Sequence, residues 1–203
     1  ARDVPQEFVG DEAHRGDMVW SAAVPEELRS RATAVIGNFP VSQASQYTRL
    51  EWLQTFSAGV DAYICPGVLP RGTMVTNASG AYGQSVSEHM FATMWALMKN
   101  LNRYASNQRD HQWQDEGPVL SPEGGIALII GVGDIGSHFA QLAQSVGMRT
   151  FGVRRHADVP AKGIEKMYGF ERLETLLPLA DVVAMAVPRS PQTHHLLNAD
   201  RLG

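Results

Sequence analysis

Short apolar runs separated by turn-forming residues recur along the first eighty positions of the chain. Three of them have the length and composition of strands: ATAVIGN at 32–38, LEWLQTF at 50–56 and GTMVTNASG at 72–80. The segment VPEELRS, which precedes the first of them, is helix-like. Strands that alternate with helical segments are typical of a parallel sheet covered on both faces. We therefore predict an α/β unit in this part of the chain.

Apolar residues at spacings of three and four then predict one long helix, capped by Ser85 or Ser87. Its stripe comprises Val86, Met90, Met94, Leu97, Met98, Leu101 and Tyr104. Core packing or a subunit interface explains this methionine-rich stripe better than an adaptable binding surface does. Two prolines and three glycines in DEGPVLSPEGG, at 115–125, end the pattern and predict a domain boundary or hinge.

The remaining chain has the pattern of a βαβ unit followed by a further helix and strand. IALII at 126–130 and RTFGV at 149–153 predict strands, with Gly147 ending the helix between them. FERLETLLPLA predicts the next helix, DVVAMAV predicts a strand closed by Pro188, and SPQTHHLLNADRLG predicts a loop that enters a helix. The apolar face of the first helix comprises Ile135, Phe139, Leu142, Ala143 and Val146.

Composition narrows the class of protein. A net charge of -4 and a pI near 6.0 argue against bulk electrostatic binding to nucleic acid or anionic membranes. Cys65 is the only cysteine, which excludes an internal disulfide and favours a reducing compartment. The apolar runs are too short to span a bilayer, and no signal sequence opens the chain. We therefore predict a cytoplasmic protein.

A glycine pattern sits at the turn between the first strand and helix of the βαβ unit. Gly131 permits a tight turn, Gly133 lets the backbone approach a pyrophosphate, and Gly136 allows close helix–strand packing. The free amides around Asp134 and Ile135 then face the phosphates at the positive end of the helix dipole. The alternative is a helix start with chance glycines, but the spacing and context favour a dinucleotide site.

The end of the second strand indicates which dinucleotide is bound. An acidic residue usually binds the adenosine ribose there, and this chain has Arg154, followed by Arg155 and His156. A guanidinium cannot accept a hydrogen bond from a 2′-hydroxyl, but it can pair with a 2′-phosphate. The pattern favours NADP(H) over NAD(H). The alternative is an NAD site that lacks the acid, with both arginines solvated.

The chain resembles the D-2-hydroxyacid dehydrogenases in four stretches between residues 50 and 202: LQTFSAGVD, VTNASGAYGQSVSEHMFATMWALMKNL, LIIGVGDIGSHFAQLAQSVGMRTFGV and DVVAMAVPRSPQTHHLLNADRL. The arginine pair is most similar to the NADPH-using glyoxylate/hydroxypyruvate reductase branch. The resemblance implies an α/β fold with parallel sheets and a cleft between two domains. We expect a partial flavodoxin-like substrate domain at 1–84, an interdomain and dimerisation helix at 85–114, and a Rossmann domain, incomplete at its end, at 115–203.

The resemblance also implies site residues and a homodimer formed through the helical region at 85–110. A loop turns its backbone amides toward the carboxylate of a small 2-keto or 2-hydroxy acid, and this loop is Ser57, Ala58, Gly59 and Val60. Positions near the nicotinamide are Val86 and Ser87, and the loop that lines the cofactor includes Pro188 and Thr193. On sequence alone, Pro188 is equally well explained as the end of a strand.

The catalytic groups of the resembled family, an Arg, a Glu and a His, correspond to positions beyond Gly203. We therefore assign no catalytic residue here, expect this portion alone to be inactive, and regard the chain as truncated at both ends. ARDVPQEFVG at the start lacks the opening strand and helix that the resemblance predicts. No metal site is predicted, because EHM lacks the second histidine of a zinc motif. Other polar residues are more simply solvated or packed: His89, Arg109, Asp110, His111, His194 and His195.

Two other functions remain open. A non-catalytic module of the same fold would sense NADP(H) or bind a partner. An S-adenosylmethionine methyltransferase also has a glycine loop after its first strand, but it needs an acidic residue where this chain has Arg154.

Overall fold

The computed structural model describes residues 24–202, which form two compact units that divide between Ser79 and Gly80. The predicted lack of an opening strand and helix in residues 1–10 lies outside the described residues, and so does Gly203. The segment 115–125 lies within the second unit.

The first unit is a three-stranded parallel sheet in the order β1-β2-β3. The strands are β1 (Ala34–Ile36), β2 (Trp52–Gln54) and β3 (Met74–Thr76), so each predicted run contains a strand. Helix α1 (Glu26–Arg29) precedes β1, and a 3₁₀ helix that was not predicted, Val41–Gln46, follows it.

Aromatic side chains form most of the core of this unit. The ring of Phe39 stacks on Tyr47 with centroids 4.3 Å apart and meets Tyr63 edge-on at 5.3 Å. The Tyr63 hydroxyl donates to the Phe39 carbonyl at 2.6 Å and accepts from the Phe39 amide at 3.1 Å. The Tyr47 hydroxyl is buried with no hydrogen-bond partner among the described residues. Burial raises the pKa of Tyr47 above its ordinary value.

The second unit contains a four-stranded parallel sheet in the order β6-β5-β4-β7. Its strands are β4 (Ile126–Ile130), β5 (Arg149–Val153), β6 (Lys166–Tyr168) and β7 (Val182–Met185). The chain runs outward from β4 through β5 to β6 and then returns to the other side of β4. This reversal of strand order beside β4 is the position at which open α/β sheets bind ligands.

Helices cover both faces of this sheet, as its apolar strands predict. Successive residues of β4 point to opposite faces, so Ile129 packs with Phe139 of α4 (Asp134–Ser145), whereas Leu128 packs with Leu173. The βαβ prediction is confirmed, and Gly147 follows the end of α4 with a φ of 83°. The structure is therefore an α/β fold with a Rossmann arrangement.

The predicted long helix is wrong as a single element. The chain forms α2 (Gly83–Met98) and α3 (Leu101–Arg109), which are separated at Asn100 with a φ of 52°. Asparagine tolerates this left-handed conformation better than most residues do, and the periodicity continues across the break. The apolar stripe divides accordingly: Met94 and Met98 are buried against α4 and β4, whereas Leu97 and Leu101 are exposed.

Neither predicted serine caps α2. The helix begins at Gly83, two residues before Ser85, and its N-cap residue Tyr82 makes no side-chain capping bond. Ser87 instead is buried and donates its hydroxyl to the Gln84 carbonyl at 2.8 Å. A tertiary contact lies at this start, because the carboxylate of Asp134 occupies the space that a side chain at Gly83 would need.

Three further differences concern short elements. FERLETLLPLA is helical but interrupted, with 3₁₀ turns at Phe170–Arg172 and Leu177–Leu179 on either side of α5 (Leu173–Leu176). The sequence pattern missed β6, a three-residue edge strand. Arg149 donates two bonds to the Glu165 carboxylate beside β6, and these bonds lower the pKa of Glu165. The predicted final helix is present as α6 (Ala199–Leu202).

Candidate functional site

The glycine turn packs three strand ends together at the reversal point of the sheet. Gly131 follows β4 with a φ of 93°, and its amide donates to the Val153 carbonyl at 2.8 Å. A side chain at Gly131 would collide with the carbonyl of Ala186, just after β7. A side chain at Gly136 would collide with the carbonyl oxygen of Gly131. Two of the three glycines are therefore required by close packing.

The third glycine leaves open space. Gly133 is the N-cap residue of α4, with a φ of -101°, and no heavy atom lies within 4 Å of the position of a Cβ there. The amides of Asp134 and Ile135 have no acceptor among residues 24–202, because they belong to the first turn of α4. Free amides at the positive end of a 12-residue helix, behind an open approach, suit an anionic group such as a pyrophosphate.

Arg154 directly follows β5, at the edge of this site. Its Nε donates to the His156 carbonyl at 2.9 Å and its Nη1 donates to the Val132 carbonyl at 3.3 Å, while Nη2 donates to the Val159 carbonyl. In the described part of the chain, no carboxylate lies within ion-pair distance of this guanidinium. Arg155 and His156 are exposed. The position that usually holds a ribose-binding acid therefore holds an unneutralised cation.

A pocket of about 390 Å³ opens beside the first three turns of α4. Its walls come from that helix, from Arg154 and from the loop that follows β5, and the lining residues are Asp134, Ser137, His138, Gln141, Arg154, Pro160, Ala161 and Lys162.

Hydrogen bonds of Thr193 hold the loop after β7 together. Its hydroxyl donates to the Pro188 carbonyl at 2.6 Å and accepts from the Ser190 amide at 2.9 Å. These bonds hold together two of the positions that the resemblance assigned to the cofactor. Val86 is half-buried in the first turn of α2.

The loop of the first unit that the resemblance assigns to a substrate carboxylate has its carbonyls, but not its amides, in hydrogen bonds among the described residues. All four of its carbonyls accept hydrogen bonds, whereas none of its four amides has an acceptor among the described residues; the loop is Ser57, Ala58, Gly59 and Val60. A loop whose acceptors are occupied and whose donors are available has the hydrogen-bonding character that suits an anion.

Three polar side chains that the sequence did not single out hold this loop. Thr55 donates its hydroxyl to the Ser57 carbonyl at 2.8 Å, and Asn77 donates to the Ala58 carbonyl at 2.7 Å. Asn38 donates to the Ser57 hydroxyl at 3.2 Å and accepts from the amide of Phe56. Asn38 follows β1 and Asn77 follows β3. Their places after neighbouring parallel strands were the available signal, because such strand ends meet at one edge of a sheet.

The four histidines to which we assigned no role are exposed. They are His89, His111, His194 and His195, and the rings of the last two contact only each other among the ring contacts of the described residues. Within residues 24–202, no group of three or more His, Cys, Asp or Glu side chains is placed to hold a metal ion. Over the same residues, no helix has the length and apolar character to cross a membrane.

These features define the second unit as a dinucleotide-binding Rossmann unit. The chain belongs to the D-isomer specific 2-hydroxyacid dehydrogenase family, whose NAD-binding domain matches residues 91–203, more than half of its length.

Relatives support this assignment. A glycerate dehydrogenase from Methylorubrum extorquens is 26% identical over 188 residues, 88% of this chain and 57% of that protein. A glyoxylate reductase from Thermofilum pendens is 28% identical over 75% of this chain and 47% of its own length. The crystal structure of a D-isomer specific 2-hydroxyacid dehydrogenase family protein from Aeromonas salmonicida has a TM-score of 0.76 and 30% identity, over 87% of this chain and 56% of the other. The chain thus spans about half the length of the relatives it matches.

Proposed function

We propose that the whole protein is an NADP(H)-dependent oxidoreductase that interconverts a small 2-keto acid and its 2-hydroxy acid, of the glyoxylate or hydroxypyruvate type. The observation that carries this proposal is the turn from Gly131 to Gly136, where two glycines are packed against backbone and Gly133 leaves free amides accessible. The similarity to proteins named glyoxylate reductase and glycerate dehydrogenase supports the substrate class.

The cofactor preference rests on Arg154. Three of its five guanidinium N–H groups are bonded to backbone carbonyls, which holds the cation in place and leaves two donors for a phosphate. Backbone carbonyls do not neutralise the charge, so a 2′-phosphate would gain a full ionic interaction. The bound nicotinamide would supply or accept the hydride, while the amides of Asp134 and Ile135 would hold the pyrophosphate.

The substrate part of the proposal rests on the loop from Ser57 to Val60. Its free amides would bind the substrate carboxylate, because donated backbone hydrogen bonds to an ionised acceptor are stronger than those to a neutral one. Asn77 and Thr55 would keep the loop in this conformation by occupying its carbonyls.

Further parts of the proposal concern the cofactor lining and the assembly. Val86, Pro188 and Thr193 would line the cofactor, with Thr193 holding its loop closed. Dimerisation through the region of α2 and α3 would cover Leu97 and Leu101, which are 66% and 51% exposed.

The test is steady-state kinetics of the full-length protein with glyoxylate and hydroxypyruvate, using NADPH and NADH in parallel. We expect turnover with both keto acids and a higher kcat/KM with NADPH. A strong NADH preference would overturn the assignment of Arg154. Dinucleotide binding without turnover of any 2-keto acid would instead support the non-catalytic module.

A further inference from the structure

Lys162 occupies an unpaired position in the pocket beside α4. It is exposed and makes no ion pair or hydrogen bond with other described residues, although its neighbours along the loop are packed. Gly163 has a φ of 74°, and a Cβ there would stand 2.6 Å from the backbone nitrogen of Gln141. This close backbone contact holds the residue after Lys162 against α4, and Lys162 itself lines the pocket beside that helix.

Arg154 binds the loop that forms the same wall of the pocket. Its bonds to the carbonyls of His156 and Val159 close the loop after β5 around the guanidinium, immediately before the pocket residues Pro160 and Lys162. Two cations therefore line one pocket, and one of them is bound to the loop that places the other.

The pocket has a single carboxylate, that of Asp134, and one of its neighbours is His138 of the same pocket. Asp134 lies 3.4 Å from His138 Nδ1 and packs against Gly83 at the start of α2, where the dipole of that 16-residue helix is positive. Ser137 adds a hydroxyl with no partner among the described residues. The pocket thus offers two cations and a hydroxyl donor to an anion.

We propose that Lys162, together with Ser137, completes a binding site for the 2′-phosphate of NADP(H) that Arg154 begins. The phosphate oxygens would accept from the ammonium group, the hydroxyl and the two remaining guanidinium donors. This inference rests on the proposed NADP(H) preference and extends it to a residue nine positions beyond the end of β5.

The test measures binding of nucleotides that differ by this one phosphate. Isothermal titration calorimetry of the full-length protein with 2′,5′-ADP and with 5′-AMP should show tighter binding of 2′,5′-ADP. Lys162→Gln should weaken 2′,5′-ADP binding about tenfold without changing 5′-AMP binding, since one charge-assisted contact is lost. Lys162→Arg should retain most of the affinity. Lys166→Gln is the matched control, because it removes the same charge from β6 outside the pocket.

The outcomes separate this inference from the proposed function. Wild-type affinity for 2′,5′-ADP in Lys162→Gln, with a loss in Arg154→Gln, would overturn the role of Lys162 and leave the NADP(H) preference standing. Equal losses for both nucleotides in Lys162→Gln would also overturn it, because the effect would not concern the 2′-phosphate. Equal affinity of the wild-type protein for 2′,5′-ADP and 5′-AMP would overturn the NADP(H) preference itself.

Discussion

Substituting alanine at two glycines of the same turn should separate stability from cofactor binding. At Gly136 the added methyl group meets the carbonyl oxygen of Gly131, whereas at Gly133 it enters open space. Both residues have backbone conformations that alanine can adopt, since neither has a positive φ. The two substitutions add the same methyl group, so their comparison tests the packing at each position once helix and N-cap preferences are taken into account.

For Gly136→Ala, two opposing effects have to be compared. Alanine favours a helix over glycine by about 1 kcal/mol, whereas overpacking against a backbone atom that cannot rotate away costs about 3 kcal/mol. The collision dominates, and the free energy of unfolding should fall by about 2 kcal/mol.

Gly133→Ala should leave the stability nearly unchanged and weaken NADPH binding. Its free energy of unfolding should stay within about 1 kcal/mol of the wild-type value, because N-cap preferences differ by about this amount. NADPH binding should weaken about tenfold or more, since the methyl group would occupy the approach to the free amides of Asp134 and Ile135.

Urea unfolding and calorimetric titration of the full-length variants with NADPH measure both quantities. A Gly136→Ala protein as stable as the wild type would refute the close contact. A Gly133→Ala protein that loses as much stability as Gly136→Ala, or that binds NADPH normally, would refute the open approach.

Further predictions concern the first unit and the sheet edge. Tyr47→Phe should change the free energy of unfolding by less than about 0.5 kcal/mol, whereas Tyr63→Phe should lower it by about 1–2 kcal/mol, because only the second leaves buried backbone groups unpaired. Since the folded-state pKa of Tyr47 is raised, stability should fall as the pH rises above the ordinary tyrosine pKa, and urea titrations of Tyr47→Phe should lack this part of the loss. Asn77→Ala should raise the KM for the keto acid about fivefold with unchanged NADPH binding, and normal KM would contradict its role in the loop. Because Arg149 lowers the folded pKa of Glu165, that pair stabilises the fold above the ordinary glutamate pKa and loses this effect in acid; the Tm difference between wild type and Glu165→Gln should shrink from about pH 7 to about pH 3.

Much of the second unit could be predicted because its signals are local. IALII and RTFGV are buried strands, and the spacing of Gly131, Gly133 and Gly136 follows from the turn that joins a strand to a helix. Burial and backbone conformation act on a few neighbouring residues, so a short window of sequence contains them.

Other features required contacts between residues that are distant in sequence. The break at Asn100 left no trace in the helical periodicity, and β6 is too short for a pattern of its own. The contact of Gly83, at the start of α2, with Asp134 joins residues about fifty positions apart. This contact and the pairing of β6 with β5 involve partners that a short sequence window does not include.

The α/β class, the glycine turn and the arginine that directly follows β5 could be predicted from the chain alone, because each depends on residue type and short-range spacing. The hydrogen bond from Asn77 to the Ala58 carbonyl and the place of Lys162 in the pocket beside α4 became visible only in the folded protein. Each of these placements arises within one unit, where segments that are separate in sequence fold together, because hydrogen bonding and charge depend on distance in space rather than along the chain.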